Sequence, residues 1–170
     1  MSTQVMPTPK QQFVEQASRE HATTMKVLRA YPTDKLDLRP HPKCKTAKDL
    51  AWMFVLEQGL SHQAVTTGFD WSKGMSMPPA PESFDAVLAA LEQGHAQLMQ
   101  AVEKMPEDRL FQQVKFPVAP KTMGDIPLIQ FLWFILSDQI HHRGQFSVYL
   151  RMADGKLPSI YGPTADEPWM

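Results

Sequence analysis

The sequence predicts an all-α protein, a four-helix bundle whose helices are joined by long connections. Four amphipathic segments, each about 20 to 27 residues long, show apolar residues that recur at steps of three and four. Prolines are concentrated between these segments, where they prevent a helix from continuing. Because ionisable residues also fall on the apolar faces, we expect side chains that carry chemistry to meet at the bundle axis.

The first half of the chain is predicted to form two of these helices. The first runs from Pro9 to Ala30 and carries Glu20 on its apolar face. A proline-rich connection over residues 31–45 then crosses the end of the bundle. The second helix runs from Thr46, a favoured capping residue, to about Thr67, and its inward stripe includes Glu57.

The second half supplies the other two helices. The third is predicted from about Pro81 to Met105, with His95 within its apolar stripe. Residues 114–118 alternate between apolar and other side chains, which predicts a short strand or extended turn. The fourth helix is predicted from about Pro127 to Ala153. The proline-rich tail, residues 155–170, should wrap the surface without forming a fifth helix.

The length of 170 residues predicts one domain that spans residues 1–170. Within it, we expect a ragged N-terminus over about residues 1–8 and an extended C-terminal tail over about residues 155–170. The net charge of -1 leaves no excess of Lys or Arg to neutralise phosphates. Nucleic-acid binding through a broad basic face is therefore not expected.

Membrane and secreted classes are also not expected. The most apolar run, Leu128–Leu136, has nine residues, whereas a membrane-spanning helix needs roughly 20. The N-terminus lacks the basic region followed by an apolar run that marks a secretory signal. Cys44 is the only cysteine, so neither an intramolecular disulfide nor a cysteine-based zinc site can form. These features favour a cytoplasmic protein.

Five ionisable residues are projected into the bundle, which is more than an ordinary core buries. Asp138 and His142 are four residues apart, so they lie on one helix face about 6 Å apart along the axis, where they can share one ion or one proton. The five residues are Glu20, Glu57, His95, Asp138 and His142.

Two readings of Asp138 and His142 without a metal stay open. They can form a buried hydrogen-bonded pair in which the carboxylate orients the imidazole. Alternatively, His142 is a general base whose pKa Asp138 raises. No nucleophile is evident beside them, since Cys44 lies in the first connection.

The remaining candidates are expected to have structural roles. His141 and Arg143 flank the inward line, and Arg143 either pairs with Asp166 or Glu167 of the tail or is a solvated charge. His95 is expected to be a hydrogen-bonded core residue. A final group comprises two predicted surface histidines, His21 and His62, and Met53, which is predicted to pack in the core with Met25 and Phe54.

Several segments of the chain resemble the DinB/YfiT-like superfamily. They are HHRGQ at residues 141–145, followed by Tyr149-Leu150-Arg151, and PSIYGPTADE at residues 158–167. The segment LDLRPHP, residues 36–42, is similar to the one that leads into the second helix of that family. The resemblance covers roughly Phe13 to Glu167 and implies a DinB-like four-helix bundle, often a homodimer.

The resemblance also implies a divalent metal held by three inward histidines, one on the second helix and two on the fourth. The matching positions in this sequence are Met53, Asp138 and His142, so one of the three histidines is present. A carboxylate can replace imidazole on zinc, nickel or manganese, whereas a thioether is a poor ligand for these ions. We therefore expect Asp138, His142 and Glu57 to be the metal ligands, with His95 or Glu20 as alternatives to Glu57.

Two functions follow from the resemblance. The first is a divergent metal-dependent enzyme, either a thiol transferase that adds a low-molecular-weight thiol to an electrophile or a hydrolase-like enzyme. The second is a metal-free, dimeric bundle that binds a small molecule or acts in stress and has lost catalysis. The retained inward Asp, Glu and His favour the first function, and the missing histidines favour the second.

Overall fold

The computed structural model describes residues 6–74 and 77–170, and it confirms the four-helix bundle. The largest difference from the predicted boundaries is at the start of the third helix, which begins at Phe84 rather than Pro81, after its N-cap Ser83. The helices are α1 (Pro9–Arg29), α2 (Ala47–Thr66), α3 (Phe84–Lys104) and α4 (Leu128–Met152).

Capping residues explain where the first two helices begin. The Thr46 hydroxyl accepts a hydrogen bond from the backbone N–H of Asp49 at 3.1 Å, as predicted for the start of α2. Thr8, the last residue of the predicted ragged N-terminus, forms a reciprocal capping box with Gln11. Residues 1–5 of that predicted ragged end lie outside the described part of the chain.

The extended stretch predicted before the fourth helix is one strand of a β-hairpin. Strand β1 (Gln113–Ala119) pairs antiparallel with β2 (Thr122–Pro127). Val114 and Phe116 of β1 are buried against the bundle. Gly124 lies opposite Phe116, and a Cβ atom at this position would be 2.8 Å from Cγ1 of Val118. The lack of a side chain at Gly124 therefore allows the hairpin to close.

The helices pack so that α3 and α4 each contact both α1 and α2. Helices α1 and α2 therefore face each other across the diagonal of the bundle, as do α3 and α4. The long connection over residues 31–45 allows this arrangement, because it separates two helices that are consecutive in sequence. None of the helices in the described ranges is both long and apolar enough to cross a membrane.

The core consists of two apolar clusters, one toward each end of the bundle. Phe13, Leu98, Leu132 and Ile135 belong to the first cluster, together with buried residues of β1. Leu28, Phe54, Leu91 and Phe146 belong to the second. Between the two clusters lies a set of polar side chains that we call the polar layer: Glu20, His21, Glu57, Gln58, Ser61, His95, Asp138, Gln139, His142 and Arg143.

The C-terminal tail forms no helix, as predicted, and it lies against α1 and α4. Glu167 pairs with Lys26 of α1 at 2.9 Å. Asp166 pairs with Arg151 of α4. The phenol of Tyr161 reaches further inward and contacts Glu20 in the polar layer. The tail therefore covers one side of the polar layer.

Candidate metal centre

One part of the polar layer brings together the three residues predicted as metal ligands. Glu57, Asp138 and His142 each offer a ligand atom, and these atoms all lie within 4.8 Å of one another. Asp138 and His142 occupy successive turns of α4, and Glu57 faces them from α2, which packs against α4. We call these three residues the acidic–histidine cluster.

A close contact within the cluster joins two helices. Nδ1 of His142 lies 2.8 Å from Oε1 of Glu57. The carboxylate that contacts His142 is therefore that of Glu57, not that of Asp138, the partner suggested by the four-residue spacing. The interpretation of Asp138 and His142 as a hydrogen-bonded pair is wrong, because spacing within one helix cannot show which side chain a neighbouring helix contributes.

Glu57 is buried without donors to satisfy it. Its side chain is 4% exposed, and neither of its carboxylate oxygens has a partner with hydrogen-bond geometry among the described residues. Nδ1 of His142 also lacks such a partner, although it lies 2.8 Å from Oε1 of Glu57 as an ion pair. Burying a carboxylate in this way is costly unless an ion or a ligand completes the site.

The environment of the cluster favours protonation of both Glu57 and His142. Burial raises the pKa of Glu57, and the opposing effect of His142 is smaller. The contact with Glu57 raises the pKa of His142, although burial acts in the opposite direction. Protons and a metal ion would therefore compete for the same atoms.

The cluster can be reached from two sides. Glu57 and Asp138 line a largely apolar groove of about 600 Å³, which we call the apolar groove. His142 lines a second pocket of about 380 Å³, together with Cys44 and Tyr149. The site therefore has access on both the α2 side and the side of the first connection.

The prediction that Met53 packs in the core is only partly correct. It is half-buried and lines the apolar groove beside Glu57 and Asp138. Helix α2 buries Phe54 and Glu57, so Met53 is turned toward the groove at the edge of this buried face. No histidine occupies the position where the family resemblance would place one, and Glu57 lies one turn further along the helix.

Glu20 belongs to a second part of the polar layer and is not available to the cluster. Its Oε2 atom lies 2.6 Å from Nη2 of Arg143, and it also accepts a hydrogen bond from Tyr161 at 2.7 Å. Gln16 donates to its other oxygen at 2.6 Å. Both oxygens are occupied, so Glu20 is excluded as the third ligand.

Arg143 has a structural role, as predicted, and it contacts the tail at Tyr161, but it is neither a solvated charge nor a partner of Asp166 or Glu167. Arg143 is 2% exposed, and it binds Glu20 and Thr24 of α1 rather than Asp166 or Glu167. The reason is geometric: α4 packs against α1 as well as α2, so consecutive positions on α4 are buried against different helices. His142 faces α2, and Arg143 faces α1.

His95 also lies outside the acidic–histidine cluster. Its ring stacks on that of His21, with centroids 3.9 Å apart and an interplanar angle of 1°. The prediction that His21 is a surface residue is wrong, because the packing of α1 against α3 half-buries it. Burial, with smaller contributions from His95 and Arg29, lowers the pKa of His21 to about 4. A neutral His21 is consistent with the stack.

Two further residues lie beside the cluster: Cys44, whose position the sequence did not indicate, and Tyr149, which the sequence places on the same line of α4 as His142. Cys44 lies in the first connection but lines the same pocket as His142. Tyr149, seven residues after His142 on α4, donates a hydrogen bond to the backbone oxygen of Lys45 at 3.0 Å. The seven-residue spacing indicates that Tyr149 lies on the same helix face, but nothing in the sequence indicates where the first connection lies.

Comparisons with known proteins show the same fold. The family model described as the DinB family matches residues 1–169. The uncharacterized protein YrdA of Bacillus subtilis strain 168 is 25% identical over 156 residues, which are 91% of this chain and 89% of that protein. A crystal structure of a DinB-like protein from Bacillus cereus ATCC 10987 has a TM-score of 0.73 at 22% identity, covering 88% of this chain and 95% of the other. A crystal structure of the DinB-like protein YjoA of Bacillus subtilis has a TM-score of 0.70 at 15% identity, covering 88% of this chain and 97% of the other.

Proposed function

The chain belongs to the DinB family, and we propose that it binds one divalent transition-metal ion through Glu57, Asp138 and His142. The observation that carries this proposal is the buried Glu57 carboxylate, which lacks hydrogen-bond donors and lies beside two other side chains of metal-ligating type. An ion that binds all three residues would compensate the burial of this charge.

The donor set suits particular ions. Two carboxylates and one imidazole are hard to borderline ligands, which zinc, nickel and manganese accept. Ligand atoms that bind one such ion tetrahedrally at about 2.0 to 2.2 Å lie about 3.3 to 3.6 Å apart. The ligand atoms of the cluster lie within 4.8 Å of one another, so binding would draw the side chains closer together.

We further propose that the site belongs to a divergent enzyme of the thiol-transferase or hydrolase-like type. When bound, the ion would lower the pKa of a thiol or a water molecule. Access from two sides supports this proposal, because one molecule can approach beside Glu57 and Asp138 while another approaches beside His142. Helices α2 and α4 would hold the ligands in place, since they pack directly together.

A second candidate function is a metal-free bundle that binds a small molecule. The 2.8 Å contact between Glu57 and His142 favours it, because a protonated imidazole can neutralise the carboxylate without an ion. The two candidates differ in what they predict for the metal content of the purified protein.

Elemental analysis tests the metal proposal. The full chain should be purified without a chelator or a metal-affinity tag and then incubated with zinc, nickel or manganese. We expect about one equivalent of one of these metals per chain after removal of the excess, since one three-ligand cluster is present among the described residues. Only trace metal, far below one equivalent with all three ions, would contradict the proposal.

Matched variants locate the bound ion. His142→Ala should abolish binding, whereas His141→Ala should retain it, because His141 is exposed and contacts Gln145 on its own helix. Glu57→Gln keeps the size of the side chain and should weaken binding by at least about tenfold, the smallest loss usual even for residues that only support a ligand. Full binding by His142→Ala would show that the metal lies elsewhere.

A further inference from the structure

We propose that the apolar groove binds an apolar molecule whose single polar end donates hydrogen bonds, as in a medium-chain alcohol or amine. The polar end would lie at Glu57 and Asp138, and the apolar body would lie along the groove. This inference goes beyond the proposed metal function and applies to the protein without a bound ion, because the polar end and the ion would use the same two carboxylates.

The size and walls of the groove fit a small apolar ligand. Its volume of about 600 Å³ lies within the range of roughly 300 to 1,000 Å³ that is usual for small-molecule sites. Helices α2 and α4 and strand β1 contribute its apolar walls. These walls include Trp52, Met53, Leu56, Leu60, Phe116 and Phe134.

The polar groups that line the groove determine whether the polar end of a ligand should donate or accept hydrogen bonds. Among the described residues that line it, Glu57 and Asp138 are the charged ones, and both are acceptors. Two side-chain donor groups on the walls each already donate a hydrogen bond elsewhere. Trp52 donates to the backbone oxygen of Pro78 at 2.7 Å, and the amide of Gln63 donates to that of Gly68 at 3.1 Å.

The buried carboxylate explains why a donor is favoured over an anion. Oε2 of Glu57 has no hydrogen-bond partner among the described residues, so an incoming hydroxyl or ammonium group would satisfy it. A ligand carboxylate would instead bring a third acidic group beside Glu57 and Asp138, and no Lys, Arg or His is among the described residues that line the groove. Charge complementarity therefore favours alcohols and amines and disfavours fatty acids.

A homologous ligand series tests the proposal on the full chain after chelation, so its outcome is independent of metal binding. Isothermal titration calorimetry should compare 1-butanol, 1-hexanol, 1-octanol, octylamine and octanoate. Affinity should rise by up to about fourfold for each methylene added to the alcohol, the value for full burial. Octylamine should bind at least as tightly as 1-octanol, and octanoate at least tenfold more weakly.

Two phenylalanines of similar exposure provide the matched variants. Phe134 lines the groove and is 53% exposed, whereas Phe111 is 58% exposed and is not among the lining residues. Both should therefore be replaceable without unfolding the bundle. Phe134→Ala should lower the affinity for 1-octanol several-fold, and Phe111→Ala should leave it unchanged.

Two results would overturn the inference. One is equal affinity for 1-butanol and 1-octanol, or no binding of either, which would show that the groove walls do not take up an apolar body. The other is octanoate binding as tightly as 1-octanol, which would show that Glu57 and Asp138 do not select the polar end. Either result would leave the metal proposal standing, because that proposal is tested by elemental analysis.

Discussion

At the scale of single residues, Glu57 and His142 form a coupled pair across two helices. Burial raises the pKa of Glu57, and contact with Glu57 raises the pKa of His142. The folded protein therefore holds protons at this pair more strongly than the unfolded chain does. Metal binding must displace those protons, so metal affinity should increase with pH.

The first prediction concerns the titration of His142. An NMR titration should give His142 a pKa above the ordinary value of 6.5, and Glu57→Gln should lower it, because Glu57 is the main cause of the increase. His95 is a useful internal control, since burial rather than Glu57 lowers its pKa. An unchanged His142 titration in Glu57→Gln would show that the 2.8 Å contact is not maintained in solution.

The sign of the linked stability follows from the same pair. Because the folded pKa of His142 is raised, its contribution to stability is present below about pH 6.5 and is lost as the pH rises through the folded pKa. In the same pH range, metal affinity should increase as the competing proton is released. Adding metal should therefore offset the loss of stability at higher pH.

At the scale of elements, the buried pair of Arg143 and Glu20 joins α4 to α1. Nη1 of Arg143 also donates to the backbone oxygen of Glu20 at 3.1 Å. Tyr161 of the tail donates to the same carboxylate. These contacts connect two helices and the tail at the level of the polar layer, on a different face of α4 from the contact with α2.

Removing one partner of this pair should be strongly destabilising. We expect Arg143→Leu to lower the free energy of unfolding by about 3 to 5 kcal/mol, because Glu20 would remain buried and unpaired. Arg151→Ala is the control: Arg151 is 40% exposed and pairs with Asp166, so its loss should cost about 1 kcal/mol or less. Urea denaturation measures both, and similar losses for the two variants would contradict the assignment.

The end of α4 gives a second prediction at this scale. Asp154 has φ +60°, and the N–H of Gly155 bonds the backbone oxygen of Leu150 at 2.9 Å, as in a Schellman cap. A Cβ at Gly155 would lie 2.2 Å from Cδ1 of Leu150. Gly155→Ala should therefore cost about 1 to 3 kcal/mol of unfolding free energy through overpacking.

Gly144 is the matched control for that prediction. Gly144 lies within α4, and a Cβ atom there would meet nothing within 4 Å. Gly144→Ala should stabilise the protein by roughly 0.5 to 1 kcal/mol, because alanine is favoured over glycine inside a helix. Thermal denaturation should separate the two variants in opposite directions, and a stabilising Gly155→Ala would contradict the described cap.

The helices were predictable because their signals are local. Thr46 caps α2, and apolar residues recur with the helical period, so element boundaries could be read from neighbouring residues. The hairpin was only partly predictable, since the alternation in β1 is visible but β2 has mainly exposed or half-buried residues. Its pairing depends on a partner strand that shows no such pattern.

At the scale of the whole molecule, the packing of the helices determines which polar residues meet. The sequence placed Glu57, Asp138 and His142 on inward faces, and the structure brings them within 4.8 Å of one another. The sequence could not show that Glu20 would pair with Arg143, or that His21 would stack on His95. Those pairings depend on α1 contacting α3 and α4, which is a property of the fold rather than of any one helix.

The polar layer is the other property that appears only in the whole molecule. It separates the two apolar clusters, and each helix contributes to it from its middle. One part of the layer is satisfied internally, by the Arg143–Glu20 pair, and in another part the rings of His21 and His95 stack. The acidic–histidine cluster is the part in which buried carboxylate oxygens lack partners among the described residues.

Anomalous X-ray diffraction from crystals of zinc-loaded protein tests the central claim most directly. Data recorded on both sides of the zinc absorption edge should show one peak at about 2.0 to 2.2 Å from ligand atoms of Glu57, Asp138 and His142. That peak should be absent in crystals of His142→Ala. A zinc peak elsewhere on the protein, or none at this cluster in crystals of protein that contains one equivalent of zinc, would contradict the account.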